Sequence, residues 1–105
     1  MKKNDEPKLI KWVGEAGIEE AASEKAELLE AFETAKDVQL DISGVDDIDV
    51  SAIQVIIASF LEAEKRGVSF SITGEIPEVI EKFCKSCGVS LSEFNSKKSK
   101  EVKNA

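Results

Sequence analysis

Two stretches of this 105-residue chain carry side chains that could do chemistry. One is Asp46-Asp47-Ile48-Asp49-Val50-Ser51, three carboxylates and a hydroxyl in close succession. The other is Cys84-Lys85-Ser86-Cys87, a C-x-x-C. Carboxylates beside a hydroxyl can take part in acid–base chemistry, hold a cation or frame a phosphoacceptor. Calcium asks for six or more ordered oxygens, which the aspartate run does not supply. The chain has no histidine, which removes Ser-His-Asp and Cys-His catalysis and any His-ligated metal. The inventory argues against an enzyme, and no metal or cofactor site is expected.

The cysteine pair reads as structural. A redox C-x-x-C needs its first cysteine at a helix N-terminus, where the dipole favours thiolate. Here both cysteines fall late in an expected helix. A zinc site needs four ligands, and there is no second Cys or His pair to complete one. Cys84 and Cys87 are therefore expected as free thiols, serving as small apolar core or near-core residues.

Lysine and arginine number 14 against 21 acids, for a net charge of -7 and a pI near 4.7. That balance opposes binding to nucleic acid or anionic lipid. No apolar run approaches the roughly 20 residues of a membrane span. MKKNDEPK has no apolar segment behind its lysines, so no signal peptide is expected and a cytoplasmic location follows. Acids concentrate between Gly14 and Glu64, which reads as a solvated helix face or as a surface that meets a basic partner.

The elements that must position these groups follow from hydrophobic period. Leu9 to Val13 reads as a strand, with a possible edge segment over residues 14–18. Ala22, Ala26, Leu29 and Phe32 recur at helical spacing, which predicts an amphipathic helix over about 20–35. Val38, Leu40 and Ile42 alternate with Gln39 and Asp41, a half-buried strand, and Gly44 to Asp47 reads as a turn. A second helix has the stripe Ile53, Ile56, Ile57, Phe60 and Leu61, with Gly67 at its end. Val68, Phe70 and Ile72 form the next strand, and Pro77 opens a third helix containing Val79, Ile80, Phe83 and Cys84. The expected core joins Leu40, Ile42, Ile53, Ile57, Phe60, Phe70, Ile72, Val79, Ile80 and Phe83. Length allows one domain, set at residues 1–91, and residues 92–105 read as a lysine-rich disordered tail. Strands joined through helices run parallel with right-handed crossovers. The expected class is α/β.

Asp49 fits the N-cap of the second helix, which puts Ser51 in its first turn. Backbone N–H groups and the positive dipole end there tolerate a phosphate. Read plainly, Ser51 only helps to start the helix.

The run DVQLDISGVDDIDVSAIQVIIASFLEAEKRGVSFSITG resembles the STAS family, the domains of anti-sigma factor antagonists and sulfate transporters. It is similar to that family's V-x-L-D-L-S strand, its loop, the I-D-S-S/A-G-L helix start and R-G near the helix end. EIPEVIEKFCKSCGV resembles its closing helix with a Gly-hydrophobic pair. The resemblance spans about residues 8–90. It implies a small mixed sheet of about four strands with helices packed mainly on one side. It also implies a bacterial partner-switching regulator that binds a serine-kinase anti-sigma factor when unphosphorylated and is reset by a phosphatase. Ser51 takes the phosphoacceptor position, with Asp46, Asp47, Asp49, Val50 and Ala52 as partner-binding residues.

Val50 stands where the family often has a hydroxyl residue, and Ala52 where it has glycine. The family usually has one more strand ahead of Leu9 to Val13. In that shortness the chain is similar to a compact branch found with lipid-transport ATPases and in chemotaxis gene clusters, whose motif often reads D-T-A-G-L-Q. Ile53-Gln54 resembles the L-Q. That branch implies a second function: a non-phosphorylated interaction subunit of an ATPase or a chemotaxis-linked complex.

Overall fold

The structure is a computed structural model that describes residues 5–94, apart from the side chain of Ile18. Three strands and three helices alternate: β1 (Lys8–Ala16), α1 (Ile18–Thr34), β2 (Asp37–Ile48), α2 (Val50–Arg66), β3 (Ser69–Thr73) and α3 (Glu78–Ser86). The strands form one parallel sheet in the order β1-β2-β3. Two successive crossovers of the same hand place α1 and α2 on one face. The burial pattern agrees: Val38, Leu40 and Ile42 of β2 and Phe70 and Ile72 of β3 are buried, while their alternates are not. The α/β class holds, but among the described residues the sheet has three parallel strands rather than a mixed set of about four.

Two further expectations are corrected at the end of β1 and β2. Residues 14–16 are not a separate edge strand; they continue β1 to Ala16. Gly44 to Asp47 is not a turn; β2 runs through it to Ile48. The register shows why. Lys11 pairs with Asp41 but Val13 with Gly44, and Gly14 pairs with Val45 but Glu15 with Asp47. At each shift β2 carries one extra residue, a bulge. Buried positions therefore step from Ile42 to Val45 to Ile48, and the two-residue alternation is lost. Gly14 follows the first shift with φ 72°, a conformation that favours glycine. Gly44 lies under Val13, whose Cγ1 would be 2.9 Å from a Cβ placed there.

The core is built around Phe70. Phe32 meets it edge-on at 5.5 Å and 81°, and Phe60 at 4.7 Å and 64°. Leu40, Ile42, Ile53, Ile72 and Ile80 are buried with them, and Ile57 and Phe83 are partly so. Val79 leaves the expected core and Leu61 the expected buried stripe of the second helix, being 60% and 59% exposed. Each sits one residue beside a buried neighbour, Ile80 and Phe60, and so faces about 100° away. In α1 the buried face is Glu24, Leu28, Ala31 and Phe32, while Ala22 and Ala26 are exposed.

The helix ends follow local chemistry. Gly67 closes α2 at φ 71°, its N–H donating to the carbonyls of Ala63 and Glu64. Pro77 precedes α3, and its carbonyl accepts from the N–H groups of Ile80 and Glu81. Beyond α3 the chain turns at Gly88 and buries Leu91 completely. Phe94 stacks on Phe60 at 5.2 Å. The domain therefore includes residues 92–94, which the sequence assigns to the tail; the lysine-rich remainder lies outside the described residues.

Candidate functional site

Ala16 and Ile48 are register partners at the carboxyl edge of the sheet, and α1 and α2 begin just beyond them. Parallel strands with helices on one face thus bring two helix N-termini to the same edge. Asp49 joins them. Its N–H donates to the carbonyl of Ala16 at 3.2 Å. Its Oδ1 accepts from the N–H of Ser51 at 2.9 Å and of Ala52 at 3.3 Å. This is the expected N-cap, and it satisfies donors that a helix start leaves unpaired. On the other side the carboxylate lies against Gly17, where an added Cβ would be 2.8 Å from Oδ2. The neighbour before α1 is therefore restricted to glycine unless Asp49 moves.

The remaining expected residues sort by exposure. Asp46 and Asp47 are exposed, Asp49 and Ser51 are half-buried, and Val50 is 48% exposed with its methyl groups at the surface. Ala52 is fully buried. It cannot touch a partner, which corrects its assignment to the partner-binding set: as the third residue of α2 it points at the sheet.

Three concavities surround this edge. A cleft of ≈ 230 Å³ runs between the helix starts, lined among others by Glu15, Gly17, Glu20, Asp47 and Asp49. A groove of ≈ 400 Å³ between α1 and α2 is lined by Ala21, Ala22, Lys25, Ser51, Gln54, Val55 and Ala58. A notch of ≈ 190 Å³ lies beneath Asp46 and Asp47, floored by Ile48, Val79, Ile80 and Phe83. The α1/α2 groove was not legible from sequence, because Ala22 and Lys25 come from a helix face whose rotation the alanines obscure. Among the described residues no three Asp, Glu or Cys side chains are arranged to hold a metal ion.

Burial shifts two groups. Cys84 is fully buried and its thiol is pushed up to about 11, chiefly by desolvation, while Cys87 is exposed; both are free thiols. Neither is poised for redox chemistry by a helix N-terminus, since both lie at the C-terminal end of α3. Glu24 is only 8% exposed and its carboxyl is pushed up to about 7, first by desolvation and then by the charges of Glu20, Glu27 and Asp49. Sequence periodicity gave no sign of it, since a glutamate among six others on one helix and strand end reads as solvent-facing.

A family model described as Mlab, STAS domain, matches residues 1–86. The chain belongs to the STAS domain family. No curated protein matches it. Membership supports a regulatory or interaction role in general. In this STAS domain Asp49, Val50, Ser51, Ala52 and Ile53 occupy the helix start at the carboxyl edge of the sheet. No helix among the described residues is long and apolar enough to cross a membrane.

Proposed function

We propose that this STAS domain is a protein-docking module of the anti-sigma antagonist type, switched by phosphorylation of Ser51. The observation that carries this reading is the position of Ser51: second residue of α2, lining the open α1/α2 groove with Lys25, next to its cap Asp49 and exposed Val50, with exposed Asp46 and Asp47 a few residues ahead in the chain. The unphosphorylated edge offers carboxylates and the exposed apolar side chains of Val50 and Val79 to a kinase anti-sigma factor. A phosphate on Ser51 adds nearly two negative charges next to three aspartates. Lys25 and the α2 dipole give that phosphate local support, so the helix survives while the partner is repelled.

A second reading is favoured by Val50 and by the description of the matching family model. Val50 places methyl groups where the phospho-switched pattern has a hydroxyl residue, and an apolar side chain at that position suits a permanent contact. Under this reading the domain is a constitutive subunit of an ATPase or a chemotaxis-linked complex.

One experiment separates them. The protein is incubated with ATP and a serine kinase encoded beside it, and phosphate incorporation is compared between wild type and Ser51→Ala. Binding to the same kinase is then compared between wild type and Ser51→Asp. The switch predicts incorporation abolished in Ser51→Ala and binding weakened in Ser51→Asp by about 1–3 kcal/mol. Incorporation that persists in Ser51→Ala, or undiminished binding by Ser51→Asp, leaves the constitutive reading. A neighbouring ATP-binding transport cassette in place of a kinase points the same way.

A further inference from the structure

Glu24 occupies a place in the fold that its chemistry does not suit. It begins the stripe Glu24, Leu28, Ala31, Phe32 by which α1 packs on the rest of the protein. Its Oε1 is buried and has no hydrogen-bond partner among the described residues. Among the described residues no lysine or arginine is buried between sheet and helices to pair with it. The faces of β1 and β2 turned toward α1 are apolar, through Ile10, Trp12, Ala16, Val38 and Leu40. The charged groups acting on Glu24 are all acids: Glu20 and Glu27 on α1, and Asp49 at the start of α2. A second polar atom in the same layer, Nε1 of Trp12, is also buried without a partner.

An ionised carboxylate in such a place needs either a partner or water. Water can reach it most easily by lifting the amino-terminal half of α1. Between Glu19 and Glu27 that helix carries nothing apolar larger than alanine: Ala21 is partly buried against the core, and Ala22 and Ala26 are exposed. The firm anchors, Leu28 and Phe32, lie in the second half. The half that lifts contributes Ala21, Ala22 and Lys25 to the groove shared with Ser51. It also follows directly on Gly17, against which Asp49 rests.

We propose that Glu24 is a proton-operated latch: protonated, it lets the first half of α1 close on the sheet; ionised, it lifts that half and opens the α1/α2 groove beside Ser51. The latch acts whether or not Ser51 is phosphorylated, so its failure and the failure of the docking reading are separate outcomes. Its pH window lies between the ordinary value of 4.5, which Glu24 takes when water reaches it, and the value of about 7 to which the closed form pushes it. Below that window the closed form dominates, and above it the open form.

The test uses the full chain and its single tryptophan, Trp12. Emission is recorded from pH 4 to 8.5 in wild type, Glu24→Gln and Glu20→Gln, with amide hydrogen exchange of residues 19–28 compared at one alkaline pH. The expected result is a red shift of wild-type emission centred between the ordinary value of 4.5 and about 7, absent in Glu24→Gln. The midpoint falls in Glu20→Gln, because a neighbouring negative charge is gone. At pH 8 those amides exchange at least about tenfold faster in wild type than in Glu24→Gln, the factor that one pKa unit represents. A flat wild-type profile, or the same transition in Glu24→Gln, overturns the latch. So does an unmoved midpoint in Glu20→Gln, a surface variant that keeps the test decisive if Glu24→Gln does not fold.

Discussion

The carboxylate of Asp49 caps α2 through the N–H groups of Ser51 and Ala52 and fills the space beside Gly17 that a Cβ would take. One residue thereby fixes the start of α2 against the start of α1, and the candidate site at the carboxyl edge is defined by that contact. Glu24 has the opposite character, a carboxylate whose surroundings oppose its charge. Its folded-state pKa is raised from 4.5 to about 7. Within that interval the folded protein holds a proton that the unfolded chain has released. Stability therefore falls as pH rises from about 4.5 to about 7 and is flat above it. Glu24→Gln removes this dependence, and at pH 8 it is expected to be more stable than wild type by on the order of 2 kcal/mol. Urea unfolding of both proteins at pH 5 and pH 8 measures it. A variant that is less stable at pH 8 would show that Glu24 has a partner that glutamine cannot replace. Asp49 was legible in the sequence because capping is local, a carboxylate two and three residues ahead of the N–H groups it binds. Glu24 was hidden because a helical wheel counts glutamate as solvent and alanine as core, and here Glu24 holds the inner position that Ala22 and Ala26 lack.

Among the elements, β2 decides where the candidate site residues come to lie. Its first half alternates with period two and could be read at sight from Val38, Leu40 and Ile42. Its second half buries Val45 and Ile48 at intervals of three, because two bulges each add a residue. Bulges depend on the pairing with β1, so no local pattern in β2 reveals them. The same bulges carry Asp46 and Asp47 out to the surface in place of a turn. In α2 the inward face is sharply defined. Phe60 is buried between Phe70 and Phe94, while Leu61, the next residue, is exposed. Phe60→Ala is expected to cost about 3–5 kcal/mol, since it empties a site with aromatic neighbours on two sides. Leu61→Ala should stay within about 0.5 kcal/mol of wild type. Denaturant unfolding of the pair measures both, and a large loss for Leu61→Ala would mean that this face of α2 is covered in solution.

At the scale of the whole molecule, one sheet face is roofed by helices, and the last described residues seal the end of that roof. After α3 the N–H of Val89 donates to the carbonyl of Cys84 at 2.8 Å, and the chain turns at Gly88. The hydroxyls of Ser90 and Ser92 donate to the Glu81 carboxylate at 3.4 and 3.2 Å. Leu91 is then fully buried and Phe94 lies on Phe60. Sequence composition places the boundary at residue 91, because Phe94 is one of few apolar residues among serines, lysines, glutamates and asparagines. Its ring nevertheless completes the aromatic series Phe32, Phe70, Phe60, Phe94 that crosses the core. A chain ended at Leu91 keeps the leucine and loses the last ring. Stacking at this separation contributes about 0.5–1.5 kcal/mol beyond area burial, and the half-buried ring adds roughly another 1 kcal/mol. With a urea dependence of about 1–3 kcal/mol per molar for a domain of this size, the unfolding midpoint should fall by about 1 M. Phe94→Ala in the full chain should reproduce most of that fall. Equal midpoints for the full and shortened chains would return the domain boundary to residue 91 and leave Phe60 packed without need of its outer neighbour.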